Sequence, residues 1–597
     1  MVKNLKAVKH ILNELNYVLN RGQKKGAVFV FFVVVFRACF ELLGVAAIVP
    51  FLQAMINVEE LMDKKYIQII MHWGGIYSEK GLLSFMSLGL IVLYVVKNMY
   101  ILFANYIQYD YSTKVKKSLS INIMKAYMSK PYTYFLDVSS AEIVRTCNAD
   151  TMQVYNILSN ILFILSELLT IIMIGIFIMG TEPVMSLEIL ILMFVMLLFI
   201  IGIFKPLMKR AGTKSMQAVV QKDRAIYQAI LGIKEVFVTQ RQEYFIKAYE
   251  TAAEDERKLN RRSEVINLCP DRIVEGVCVS GLIGIVSVKL IADGNVVEFL
   301  PTLGAFAMAA FKLLPSIGKI SSRANSIVYS RAMLSNVYQV MQEANLYREE
   351  QKKYAEGQGM LNEPDKLEFQ NTLTVEHVVW QYANQKKPVL TDACLEIKKG
   401  DSIGLIGESG AGKTTLGDII LGLLKPNQGN VLIDGLDVYA MPKSWARIVG
   451  YVPQAVFLAD DTVRNNIKFG LDADISNDKL VWEALERAQL RHFVESLPDG
   501  LETIVGERGI KFSGGQRQRI AIARALYAKP EILVLDEATA ALDNETEKAV
   551  MESIDALQGQ ITLIIVAHRL TTIRNCDKIY EVKNGIIIEK NKEDIFI

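Results

Sequence analysis

Long apolar runs fill the first ~320 residues of the 597-residue chain, and they restrict its fold more than any other feature. About 20 helical residues cross ~30 Å of hydrocarbon. Within lipid only helices or closed barrels satisfy every backbone hydrogen bond. Six runs are long enough, at about residues 27–56, 82–107, 153–180, 186–205, 273–293 and 298–322. The chain is 51% apolar with a net charge of only +2, a balance that gives no support for nucleic-acid binding. A length of 597 residues calls for more than one domain.

Loop charges orient the spans. Lys114, Lys116, Lys117, Lys125, Lys130 and Arg145 crowd the segment between spans 2 and 3. Lys205, Lys209, Arg210, Lys214, Arg257, Lys258, Arg261 and Arg262 do the same between spans 4 and 5. The short connections around Thr181-Glu182-Pro183 and Asp293-Gly294-Asn295 carry no Lys or Arg. The positive-inside rule then puts both long segments and both termini in the cytoplasm. The first run starts too far in, and is too long, for a cleavable signal peptide. Before it, Leu5, Val8, Ile11, Leu12, Leu15, Val18 and Leu19 recur at helical spacing. They read as an amphipathic helix on the membrane surface or, alternatively, as one packed on the protein itself. The outer segment 57–81, with Tyr66 to Trp73 apolar, reads as a short external helix or an ordered loop.

Ionisable groups at membrane depth are expensive, so each is a candidate for function. Arg37 and Glu41 stand four residues apart on one face of span 1 and can pair with each other. Lys97 falls in span 2, Glu167 in span 3, and Lys312 and Lys319 two turns apart in span 6, where Pro315 should kink the helix. Arg37, Glu41, Lys97, Lys312 and Lys319 are the candidate lining of a substrate cavity, whose cations suit an anionic head group. Arg323 reads as a cytoplasmic end marker that snorkels to the interface. The six cysteines, Cys39, Cys147, Cys269, Cys278, Cys394 and Cys576, form no C-x-x-C pair and read as small buried hydrophobes, not metal ligands.

Beyond a polar stretch at 346–366 the pattern changes to short β-rich runs and soluble helices. Ser402 to Ile406 is an apolar strand, followed by Gly407-Glu408-Ser409-Gly410-Ala411-Gly412-Lys413-Thr414-Thr415. Glycines in such a loop let backbone N–H groups turn onto phosphates, the lysine reaches the β/γ oxygens, and the following hydroxyl ligates Mg²⁺. Farther on stand Phe512-Ser513-Gly514-Gly515-Gln516 and the apolar strand Ile532 to Asp536, with Glu537 after it.

From residue 367 to 597 these motifs, in this order, resemble the ATP-binding-cassette (ABC) ATPases. The resemblance implies that Tyr382 stacks on adenine, Gln454 contacts Mg²⁺ or water, and Asp536 holds Mg²⁺. It makes Glu537 the general base and His568 the γ-phosphate contact. Ser513, Gly514, Gly515, Gln516 and Asp543 would reach ATP held by a partner copy. Phe512 replaces the usual Leu and Ala540 a frequent Ser, and neither change removes a ligand.

Six spans with cytoplasmic extensions resemble the membrane unit of ABC exporters, which touch their ATPase near turns such as Asp137 to Glu142 and Gly232 to Val236. The expected fold is a six-helix all-α transmembrane domain (1–345), a linker (346–366) and an α/β P-loop ATPase domain (367–597). Glu41 to Phe51 and Phe311 to Ser316 look like the bacterial lipid-linked oligosaccharide flippase of protein N-glycosylation (PglK-type), although Lys312 and Lys319 stand where that family favours Arg.

The implied protein is a homodimeric half-transporter in a bacterial inner membrane, using ATP and Mg²⁺ to move an amphipathic anionic lipid-linked substrate, a lipid-linked oligosaccharide, by alternating access. A multidrug or lipid-A-type exporter, and a membrane-anchored regulatory ATPase, are the alternatives. A peptide exporter is disfavoured, because no Cys/His protease precedes span 1. Six spans exclude a soluble DNA-repair ATPase.

Overall fold

The computed structural model describes residues 2–56, 58, 62, 67–68, 71–72, 78–181, 183–293, 296–360, 367–471, 478–538, 544–567 and 569–596. The chain divides into two units: residues 1–130 with 138–346, and residues 131–137 with 347–597.

The first unit is helical. Its long elements are α1 (Val2–Val18), α2 (Arg21–Ala46), α3 (Ile48–Ile56), α4 (Glu79–Met128), α5 (Thr151–Thr181), α6 (Pro183–Leu231), α7 (Gln242–Asp293) and α8 (Val296–Gly357). Among the described residues, the stretches Arg21–Met55, Glu79–Met128 and Ser140–Gly180 are long and apolar enough to cross a membrane. Local signals set the starts. Asn20 accepts from the Gln23 N–H at 2.8 Å, and the Gln23 side chain returns the bond to Asn20 N–H at 2.9 Å. This reciprocal cap satisfies two N–H groups that the first turn leaves orphaned. Ser78 caps α4 with a single bond, accepting from Gly81 N–H at 3.1 Å.

α4 shows how one helix serves lipid and protein together. Leu88, Ile91, Val95, Met99 and Leu102 recur every three or four residues on an exposed face. Lys97, Ala104, Gln108, Tyr111 and Val115 are buried on another face. The Tyr94 hydroxyl donates to the Gly44 carbonyl at 3.0 Å, and Tyr100 to the Val33 carbonyl at 3.2 Å. Both bonds tie α4 to α2.

Gly44 has a steric role. A Cβ there would meet Lys97 Cδ and Nζ at 3.0 Å. The Gly44→Ala variant should push Lys97 away from Glu41 and destabilise the protein by about 1–3 kcal/mol. Thermal unfolding in detergent measures this; an unchanged transition would mean that Lys97 relaxes freely.

Two expectations need correction. The N-terminal helix packs on the protein: Ile11, Leu15 and Val18 are buried, Tyr17 stacks edge-on to Tyr338 at 5.0 Å, and Ser335 donates to Glu14 at 2.7 Å. α8 supplies both Tyr338 and Ser335, and Leu12 is left exposed. The stretch 346–357 is not linker but the end of α8. Its Glu and Lys residues are helix formers, and Lys352 and Glu356 pair across one turn at 3.8 Å. Polar composition looked like a loop because solvated helices share it. α8 runs as one helical element through position 315. The outer segment 57–81 lies largely outside the described residues; of it, Ile67 is buried against Ala54 and Leu82.

The second unit is built on a ten-stranded sheet. The strands are β1 (Thr372–Trp380), β2 (Leu390–Lys398), β3 (Ser402–Ile406), β4 (Gln428–Ile433), β5 (Leu436–Asp437), β6 (Val449–Val452), β7 (Ile532–Asp536), β8 (Thr562–Val566), β9 (Lys578–Lys583) and β10 (Ile586–Lys590). Their order is β5-β4-β1-β2-β10-β9-β3-β8-β7-β6. β3, β8, β7 and β6 are mutually parallel neighbours. β7 and β8 are buried along their whole length, as parallel strands covered on both faces must be. β1, β2, β4 and β5 form an antiparallel flank.

The last turns of α8 belong to this unit. Tyr354 hydrogen-bonds Asp437, and the Lys425 ammonium sits 3.0 Å over its ring. The segment 131–137 also belongs here, although its sequence neighbours do not: Asn384 donates to Asp137 at 3.2 Å. The turn at Gly232 to Val236 lies in the helical unit, where Ile233–Val238 is a short helix with Ile233, Phe237 and Val238 exposed.

Candidate functional site

Four parallel strands deliver the chemistry-bearing residues. Glu408, Ser409 and Ala411 follow β3, Gln454 follows β6, Asp536 and Glu537 end β7, and His568 follows β8. Neighbouring parallel strands end at one edge, so residues far apart in sequence meet there, and ligands bind outside such carboxyl ends.

After β3 the chain turns through Gly407 (φ 147°), Gly410 (φ 81°) and Gly412 (φ 107°) into α9 (Lys413–Ile420). A Cβ on Gly407 would lie 2.4 Å from the Val582 carbonyl, and one on Gly412 3.0 Å from Val389 Cγ1. The loop can take this path only without side chains. Lys413 is buried and donates to the Gly407 and Glu408 carbonyls at 2.9 and 3.0 Å. Burial holds its ammonium below the ordinary lysine range, against the pull of Glu537 and Asp536. A Gly407→Ala variant should therefore lose at least about tenfold in affinity for a fluorescent ATP analogue, because a clash and a left-handed backbone combine. Unchanged binding would show that the loop's path is not needed.

Thr414 is exposed in the first turn of α9, and Thr415 is buried beside it. The Tyr382 hydroxyl shares a 3.1 Å hydrogen bond with Thr415 Oγ1, and its ring meets Trp380 edge-on at 5.7 Å. Trp380 itself is buried. Tyr382 thus flanks the loop with its ring half-buried.

Across the sheet edge, Gln454 donates to Glu537 Oε2 at 2.6 Å. Glu537 has φ 47°, a conformation costly for any residue but glycine, and its N–H is held by the Val566 carbonyl at 2.9 Å. Asp536 is buried. Asp418, on α9, is pushed up to about 6 by burial and then by the Asp536 carboxylate. Two poorly solvated carboxylates beside exposed Thr414 are a donor set that a divalent cation relieves. The residues fit Mg²⁺, with Thr414, Gln454 and Asp536 as candidate ligands. They also fit ATP phosphates, given the glycine cradle and Lys413. His568 and Asp543 lie outside the described residues. Asp418 was not singled out from sequence; it lies one turn beyond the phosphate motif and its environment comes from β7.

Ser513 caps α10 (Gly514–Tyr527): its hydroxyl accepts from Gln516 N–H at 3.2 Å, and Gln516 Oε1 accepts from Ser513 N–H at 2.8 Å. Gly515 is buried at this helix start. Phe512 is buried against Phe493, so the bulk of the substituted residue goes into the core.

In the helical unit the membrane charges separate into two groups. Lys97 Nζ lies 3.2 Å from Glu41 Oε2 and 4.5 Å over the Tyr94 ring, closing a buried neutral pair. Arg37 instead reaches Asn105 at 3.0 Å and Glu167 at 3.9 Å. The expected pairing of Arg37 with Glu41 is not formed, because each side chain finds a partner on another helix. Glu167 also accepts from Ser316 at 2.5 Å and lies 3.8 Å from Lys319. Arg37, Phe163, Glu167, Lys319, Ile320 and Arg323 line a cavity of about 180 Å³. Arg37 Nε is buried there without a hydrogen-bond partner among the described residues. Arg323 donates to Asn160 at 3.0 Å and stacks 5.0 Å from Phe163, so it does not simply mark a helix end. Of the five expected lining residues, Arg37 and Lys319 face this cavity, while Glu41 and Lys97 stand apart as a pair. Lys312 is on α8 with its side chain outside the described residues.

A membrane bundle of long helices fused to a P-loop sheet with this edge defines an ABC exporter architecture, a transmembrane domain joined to an ATPase domain. Residues 47–269 match the ABC transporter transmembrane region, and residues 390–540 the ABC transporter family. A bacterial Atm1-family ABC exporter with ATP bound has the same fold, with a TM-score of 0.78 at 19% identity over 97% of each chain. The chain is 41% identical over 221 residues to the ATP-dependent lipid A-core flippase of Francisella tularensis, covering 37% of this chain and 36% of that protein. It is 39% identical over 227 residues to the ABC transporter B family member 21 of Arabidopsis thaliana, covering 38% and 17%. It thus aligns with well under half the length of these curated relatives.

Proposed function

We propose that the protein hydrolyses ATP to move a phosphorylated amphipathic lipid across a bacterial inner membrane, with both termini cytoplasmic. The observation that carries the substrate class is the cavity in the helical unit. Arg37, Lys319 and Arg323 surround one carboxylate, Glu167, leaving excess positive charge, and Arg37 Nε has an unspent donor. A half-buried arginine with an open Nε donor among the described residues, beside two exposed cations, favours an anionic head group. The lipid A-core flippase relatives support such a cargo, and so does the local likeness to lipid-linked oligosaccharide flippases.

Lys413 and the 407–412 loop would hold the phosphates, with Tyr382 turning its ring to adenine once nucleotide releases its bond to Thr415. Bound Mg²⁺ supplies charge neutralisation at the phosphate oxygens. Glu537, held by Gln454 and strained towards the site, would take the proton of the attacking water. His568 would complete that edge. Ser513 to Gln516 and Asp543 would meet the nucleotide of a second copy. A homodimer is further supported by exposed Ile233, Phe237 and Val238, an apolar patch that a partner would cover.

Proteoliposomes test the reading. Transport and ATPase stimulation are measured with polyprenyl-pyrophosphate glycans, lipid A-core, ordinary phospholipids and hydrophobic drugs. Stimulation by either phosphorylated glycolipid supports the proposal and separates its two versions. Stimulation by drugs alone would make the protein a multidrug exporter. ATP turnover indifferent to every substrate would favour a regulatory ATPase.

A further inference from the structure

Strand β1 breaks its register against both neighbours at one point. Pairing with β2 runs from Val375↔Leu395 to Val378↔Ala393, so Glu376 and His377 oppose the single residue Cys394. Pairing with β4 slips between Glu376 and Val379, across Gly429. His377 sits at φ 47° in this bulge. A Cβ on Gly429 would lie 2.3 and 2.4 Å from the Glu376 and His377 carbonyls, so β4 makes room for the bulge with a glycine. Bulges re-aim side chains, and left-handed backbone at a non-glycine residue is kept only where the surroundings enforce it.

The bulge aims His377 at two side chains on one face of β2. His377 Nδ1 lies 2.8 Å from Asp392 Oδ1 and 3.6 Å from Cys394 Sγ; Cys394 Sγ lies 3.9 Å from Asp392 Oδ1. The His377 backbone N–H also points at the sulfur, at 3.4 Å. All three residues are exposed. Asp392 and Cys394 share the same imidazole nitrogen, so a nucleophile–base–carboxylate relay, which needs both ring nitrogens, is ruled out. Folding stability does not account for the cluster either, since an exposed polar contact contributes little.

We propose that His377, Asp392 and Cys394 form a binding site for a divalent transition metal of the Zn²⁺ class on the antiparallel flank of the ATPase unit. Tetrahedral zinc with one nitrogen, one oxygen and one sulfur ligand sets those atoms about 3.4–3.6 Å apart, from its usual bond lengths. The observed separations bracket these values. The shortest is a hydrogen bond that opens when metal replaces the proton. Imidazole and thiolate select Zn²⁺ over Mg²⁺, so the site is chemically distinct from the phosphate-loop edge. Water supplies the fourth position. The ion would clamp β1 to β2 across the bulge. Cys394 thus departs from the expectation that every cysteine is a buried hydrophobe.

The test uses full-length protein in detergent, free of nucleotide and Mg²⁺. Zn²⁺ titration by calorimetry should give one site per chain. Co²⁺ should give a near-ultraviolet thiolate charge-transfer band. Cys394→Ser should abolish that band and weaken Zn²⁺ binding at least about tenfold, as should His377→Ala. Both residues are on the surface, and retained ATP binding verifies their folding. Zn²⁺ should raise the thermal transition of the parent protein only. Absence of the Co²⁺–thiolate band, or equal Zn²⁺ affinity in the parent and both variants, would overturn the proposal.

Discussion

Glu537→Gln is expected to bind ATP normally yet turn it over about 10²–10⁴-fold more slowly, the usual scale for losing a positioned base. The amide keeps the shape of the carboxylate and a group that can face Gln454, whose side chain now donates to Glu537 at 2.6 Å. It removes the proton affinity and the negative charge while keeping the size. With nucleotide held and hydrolysis blocked, two copies should stay associated, so ATP should shift the variant to a dimer on size exclusion. Phosphate release at the parent rate would remove Glu537 from the role of base. A slow variant that also failed to bind ATP would point instead to the strained φ of 47° and to damage at the end of β7.

The second large effect concerns the cavity. Reversing one of its cations, Lys319→Glu, should cost phosphorylated-lipid transport at least about tenfold. A single charge at ~4 Å is worth up to ~4 kcal/mol at an effective dielectric of 20, and solvent exposure of Lys319 reduces this. ATP hydrolysis without lipid should persist, because α9 and the strand edge are untouched. Lys97→Ala should behave differently. Lys97 closes a buried pair with Glu41, so its loss takes a cation from that carboxylate and should lower stability by up to about 3–5 kcal/mol. A Lys97→Ala protein with normal thermal stability but altered substrate preference would reverse the two assignments.

The nucleotide edge was legible because its signals are local. Each motif carries its own strand, turn and helix start, and glycine spacing alone demands the turn at 407–412. The membrane charges were legible as outliers, but their partners were not. Arg37 and Glu41 look paired on one helix; in the fold Arg37 reaches α4 and α5, and Glu41 reaches α4. Arg323 read as an end marker because depth along a helix is visible in sequence, whereas the neighbouring Asn160 and Phe163 are not. The His377 cluster was hidden for a related reason. A bulge shows in sequence only when both strands and their register are known, and Cys394 without its neighbours carries no signal.

The chain passes between the two units three times, at 130/131, 137/138 and 346/347. The ATPase is therefore finished with seven residues synthesised more than two hundred positions before its own first strand. A fragment beginning at Tyr347 lacks them, and with them the Asp137 partner of Asn384.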